Sequence, residues 1–214
     1  MRFLSRVLAP ALIVLASVSA LAQYSIANIQ FHGSAPYTDA ELLTVSGFQP
    51  GQMLAHDSLA QGAQHLLDTG LFDDAEVSLT GQGKARTVLV ELKPIPAAKL
   101  LPASFENFVW WTHEELIAAI RAHVPLYRNG VPEAGTTQDS VQTALQQILA
   151  DKGITATISH VVVEPSTQHP VRVVSYRIEQ PRISIGSVTY ADLAPATTAT
   201  LQPYLARLDR FRVQ

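Results

Sequence analysis

Few residues of this 214-residue chain stand at spacings that could do chemistry. His113-Glu-Glu-Leu-Ile117 opens like a zinc-protease helix, where two histidines one turn apart hold the metal, but Ile117 occupies the second ligand position. Gly81-Gln-Gly-Lys84 has the outline of a phosphate loop, yet its spacing is wrong and the residues after it have strand period, so no helix N-terminus would face a phosphate. The seven histidines are scattered with no carboxylate cluster at ligand spacing, which reads them as surface or capping residues. Without cysteine there is neither thiolate chemistry nor a disulfide framework. No catalytic residue, metal site, cofactor or small-molecule substrate is expected, and the chain reads as non-enzymatic.

Elements that would only position one another therefore carry the information. Arg2 and Arg6 precede an uncharged run from Val7 to Ala22, and Ala20-Leu-Ala22 supplies small residues for cleavage, so residues 1–22 are expected to be a signal peptide. The run is short for a spanning helix, which needs about 20 apolar residues, and Pro10 interrupts it. A content of 47% hydrophobic and 15% charged residues with a formal net charge of -3 fits an exported globular chain and argues against nucleic acid as a partner.

Residues 26–93 read as strand, helix, helix, strand, strand. Ile26, Ile29 and Phe31 mix one-face alternation with a polar break, and Gly33 allows a positive φ where the strand must turn. Tyr37–Thr44 is expected as a short helix with Thr38 as N-cap and Leu42 and Leu43 inward. Asp57 is expected to cap a second helix whose Leu59, Ala63, Leu66 and Leu67 form one stripe, and Gly70 to end it. Gly62 lies inside that helix, so alanine there should be neutral or stabilising by up to about 1 kcal/mol. Ala75–Leu79 and Thr87–Leu92 alternate as strands around a Gly81-Gln-Gly83 turn. A small sheet covered on one face by two helices leaves a strand edge open to other chains.

The plan recurs twice. Phe105-Glu-Asn107 takes the place of Phe31-His-Gly33, with Asn as the next most tolerant residue of positive φ. Glu114–Val124 and a helix capped by Asp139 follow, the latter with Val141, Leu145, Ile148 and Leu149 on one side and Gly153 at its end. Ile154–Val163 and Val171–Ile178 close the unit, and Phe108-Val-Trp110-Trp111 is expected to be core because aromatic rings bury large areas. Ile183–Asp192 and a helix with Leu201, Leu205 and Leu208 open a third unit that has no closing strands before Gln214.

Residues 24–95 resemble a POTRA (polypeptide-transport-associated) domain through Ile29-Gln-Phe31-His-Gly33, Gly51, Leu59, Leu66, Gly70-Leu-Phe72, Val77 and Val88-Leu-Val-Glu91. Residues 100–180 resemble a divergent second copy. The resemblance implies an α+β chain of tandem small β-α-α-β-β domains, each a three-stranded mixed sheet covered by two helices. The expected division is 23–94, 95–180 and an incomplete unit 181–214. It further implies a periplasmic arm at the outer membrane that meets unfolded outer-membrane or secreted clients and outer-membrane assembly components. In such proteins a transmembrane barrel usually follows, so the chain is expected to be either cut short before one or a free periplasmic accessory made of these modules, and the unfinished apolar helix favours the former. The strand after the second helix is the docking edge the family implies, here Asp74, Ala75, Glu76, Val77, Ser78, Leu79 and Thr80, with Thr155–Val163 its second copy. A membrane-tethered cell-division or structural protein is the competing class and would require the first segment to remain as an anchor.

Overall fold

The computed structural model describes residues 24–184 apart from 56, 129 and 168, together with 199–201, 203 and 204. The expected signal peptide and most of the expected third unit, including Asp192, Leu205 and Leu208, lie outside the described residues.

Strand β1 (Ser25–His32) buries Ile26 and Phe31, which stand five residues apart and could not share a face in a regular strand. A register shift between Ile26 and Asn28 in its parallel pairing with β3 (Ala85–Pro94) brings both to the core side. Gly33 then turns the chain at φ 67, where a Cβ would meet the Leu92 carbonyl oxygen at 2.3 Å. Helix α1 (Asp39–Ser46) begins at Thr38, whose hydroxyl accepts from the Glu41 N–H while the Glu41 carboxylate accepts from the Thr38 N–H. Helix α2 (Ser58–Asp68) keeps the expected stripe, with Leu66 fully buried. Asp57 stands at its N-cap but makes no side-chain capping bond, because its backbone is helical there rather than extended. Strand β2 (Phe72–Thr80) returns antiparallel along β3, giving a sheet of order β1-β3-β2.

Gly62 overturns its sequence reading. It is buried, and a Cβ there would lie 2.2 Å from Cζ of Phe48, a core ring only 4% exposed. The glycine lets the ring pack directly on the helix backbone, so alanine collides where propensity alone favours it.

The second unit runs β4 (Leu101–Glu106), α3 (His113–His123), β5 (Gly130–Val131), α4 (Thr137–Asp151), β6 (Thr157–Val163) and β7 (Val173–Gln180). β4 lies parallel and β6 antiparallel to β7, reproducing the first sheet, while the two-residue β5 adds a fourth strand in the order β5-β4-β7-β6. The sequence expects no strand in that connection. Asn107 has φ 74, the one positive-φ residue other than glycine among those described, and so matches Gly33. Thr112 and Glu115 repeat the reciprocal cap of Thr38 and Glu41. Helix α4 starts earlier than expected: Thr136 is its N-cap and Asp139 lies in its first turn, so Asp139 is not the cap. Val141, Leu145, Ile148 and Leu149 are all buried, as their spacing requires.

Phe108 alone of its aromatic cluster is fully buried. Val109 and Trp110 are 51% and 40% exposed, contrary to the core expectation, since the chain turns outward after Phe108 has filled the sheet–helix gap. His169 is buried rather than at the surface.

Candidate functional site at an open strand edge

Three-stranded sheets have two edges, and this one covers them unequally. The start of β1 is bonded by the segment after Phe48. The Ile26 N–H donates to the Gln52 carbonyl at 2.9 Å, the Gly51 N–H to the Ile26 carbonyl at 2.7 Å, and the Leu54 N–H to the Tyr24 carbonyl at 2.8 Å. The outer side of β2 pairs with no strand among the described residues. On that strand the Ala75 N–H donates to Oδ1 of Asp74 at 2.9 Å instead of to β3. Backbone N–H direction alternates from each residue to the next, so Val77 and Leu79 share the open side with Ala75.

All seven expected residues thus lie together on one edge strand. Ala75 and Val77 are half-buried toward the core, while Asp74, Glu76, Ser78, Leu79 and Thr80 are exposed. Exposed carboxylates on an edge hinder copies of the same strand from pairing, because like charges would then face each other. The strand expected as the second copy of this edge is β6, which begins at Thr157 rather than Thr155 and leaves Val161 and Val162 exposed. His160 on β6 is held by Oε1 of Gln142 at 2.6 Å and lies 3.8 Å from Asp139.

A packed joint fixes where the two sheets stand. Leu126, from the connection after α3, is 2% exposed within the core of the first unit. Nη2 of Arg128 donates to Oε2 of Glu41 at 2.6 Å, and its guanidinium lies 5.2 Å from the Tyr37 ring centroid. Burial pushes the Glu41 carboxyl up, but hydrogen bonds from Thr38 and Arg128, with the Arg128 charge, outweigh it and hold the group below its ordinary value. Asp68 and Thr69 give their last helix carbonyls to the Thr136 N–H at 2.8 Å and the Thr137 hydroxyl at 2.7 Å. Gly70, at φ 75, ends α2 as expected and does more: its Cβ would fall 1.9 Å from the Ala134 carbonyl oxygen. Sequence reasoning missed this joint, because Leu126, Arg128 and Thr136 meet the first unit only through long-range contacts.

Beside the joint lies a cleft of about 850 Å³, where Asp73 at the start of β2 approaches Leu100, Pro132 and Val171. Arg172 on its rim is bonded to Glu133 at 2.8 Å and to Glu164 at 3.1 Å. His113, the first residue of the zinc-like sequence, is the first residue of α3, with its ring 5.9 Å from that of Phe105. Among the described residues no cluster of three metal-ligating side chains occurs, and no helix is long and apolar enough to cross a membrane.

Residues 24–94 match the family model described as POTRA, surface antigen variable number repeat. No curated protein matches the chain. Among solved structures, the N-terminal domain of Omp85 from Thermosynechococcus elongatus is 17% identical with a TM-score of 0.35, over 73% of this chain and 62% of that one. The POTRA1-2 region of Omp85 from Anabaena is 12% identical with a TM-score of 0.35, over 72% and 95%. BamA POTRA3-5 from Haemophilus influenzae is 13% identical with a TM-score of 0.34, over 90% and 80%. The chain therefore spans less than two thirds of the first of these structures.

Proposed function

We propose, from the premise that residues 24–94 form a POTRA domain, that this protein is a non-catalytic periplasmic docking arm in outer-membrane protein assembly or secretion. On this reading it receives extended client or partner segments by strand addition to β2. The second unit is read as a divergent copy of the same module, joined to the first through Glu41, Gly70 and Leu126. One observation carries the reading: the β2 edge, with the amides of Val77 and Leu79 directed outward, is open among the described residues, whereas the start of β1 is covered. Backbone pairing is nearly indifferent to client side chains, which suits a factor that meets many unfolded chains.

The test is an NMR titration of the full chain with an extended apolar peptide. Shifts should appear first at Ala75, Val77 and Leu79, with a dissociation constant on the order of 10⁻⁴ M or weaker, since ordering the peptide offsets most of the gain. Leu79→Pro removes an outward donor at an exposed position and should abolish binding while the fold remains. Ser78→Pro removes an N–H directed at β3 and should instead weaken the domain. Unchanged binding to a folded Leu79→Pro chain would reject this edge. Mass analysis of the exported protein tests its location: a mature start at Gln23 supports release into the periplasm, and an intact Met1 supports a tether.

A further inference from the structure

The end of the second unit repeats, residue by residue, the end of the first that forms the joint. Tyr37 and Trp111 each precede a capping threonine, Thr38 and Thr112. Glu41 and Glu115 each close a reciprocal cap. Gly70 and Gly153 both follow the second helix of their unit at φ 75. A cation covers each ring, with Arg128 5.2 Å from the Tyr37 centroid and Lys152 4.9 Å from that of Trp111.

The two ends differ in what covers them. At the first, Ala134 stands against Gly70, Arg128 is bonded to Glu41, and Leu126 is built into the core. At the second, nothing lies within 4 Å of a Cβ placed on Gly153, and Val109 and Trp110 are 51% and 40% exposed. Glu115 is held by its own cap and feels only the charge of Lys152 beyond it.

Strand direction identifies what can reach this end. β7 runs parallel to β4, so the chain leaves the second unit on the side of the Asn107–Thr112 loop, and Ile183 lines the same small cleft as Asn107. The sequence that follows repeats the spacing of the segment that fills the first joint. Thr112, Leu116, Ile120 and Leu126 are matched at identical intervals by Thr197, Leu201, Leu205 and Phe211. Residues 205–214 also carry Arg207, Arg210 and Arg212 against a single Asp209, while the bare end presents the exposed carboxylate of Glu115 near Lys152, with Asp151 next to Lys152 in the chain and also exposed. Apolar and charged features are therefore complementary on both sides.

We propose that the Trp110 end of the second unit is a second joint, and that its occupant is the segment 205–214 of the same chain, with Phe211 in the role of Leu126 and an arginine on Glu115. A nitroxide on Val109→Cys tests this in the full chain, which has no other cysteine and loses only an exposed valine. Amides of Lys152 and Gly153 must lose signal in any case and serve as the internal control. The proposal expects a separate maximum of signal loss within residues 205–214, above that of residues 190–196, and its reduction by Glu115→Gln. Loss that declines smoothly along the chain, or none beyond residue 200, overturns the proposal. So does loss seen only when spin-labelled chains are mixed with separate isotope-labelled chains, which would identify a second copy as the occupant.

Discussion

Replacing Gly62 with alanine sets two effects of opposite sign against each other. Alanine in a helix interior is favoured over glycine by about 1 kcal/mol. The added methyl would lie 2.2, 2.4 and 2.8 Å from Cζ, Cε1 and Cε2 of Phe48, well inside contact distance along the whole ring tip. Phe48 is 4% exposed, so its ring cannot swing into solvent without giving up core area. Overpacking of this kind costs about 1–3 kcal/mol, which exceeds or equals the propensity gain and leaves a net loss of up to about 2 kcal/mol. Urea unfolding should show a lower midpoint with an unchanged slope. Phe48→Leu makes room for the methyl, so the double variant should recover about 1 kcal/mol relative to the sum of the single changes. A Gly62→Ala chain more stable than the parent, or strict additivity with Phe48→Leu, would refute the packing argument.

Gly70→Val combines positive-φ strain with a collision against Ala134 and should destabilise the first unit by about 1–3 kcal/mol, again read from urea unfolding. Glu41→Gln removes the ion pair to Arg128 and should increase the relative motion of the two units, seen as faster, more independent amide relaxation of each unit by NMR. Because the folded-state pKa of Glu41 is lowered, its stabilisation is present above the unfolded carboxylate pKa and is lost as pH falls through the folded value. Acid should therefore reproduce the effect of Glu41→Gln, and a joint equally tight at pH 3 and pH 7 would contradict it.

The likeness of the two sheets was legible where local chemistry is strict. Phe31-His-Gly33 and Phe105-Glu-Asn107 both end in a residue that accepts positive φ, and the α2 and α4 stripes stand where their spacing requires. Capping was legible at Thr38 but misassigned at Asp57 and Asp139, since a carboxylate near a helix start does not show whether the backbone before it is extended. Gly62 and Trp110 were misread for a common reason: what each side chain or missing side chain meets is set by residues distant in sequence. β5 and the joint share that origin. The strand following α2 could be placed from its alternation, but its openness depends on the unequal cover of β1 and β2, which no local pattern encodes.

Backbone pairing at β2 is the central claim, and amide hydrogen exchange in the full chain reads it directly. With an extended apolar peptide at about ten times its dissociation constant, exchange at Val77 and Leu79 should slow by roughly tenfold, the factor that mass action gives for a site closed only when bound. Inward-directed amides such as Ser78 should change little. Unaltered exchange at Val77 and Leu79 at saturating peptide, with protection arising instead on β6 or at the joint, would contradict strand addition at this edge.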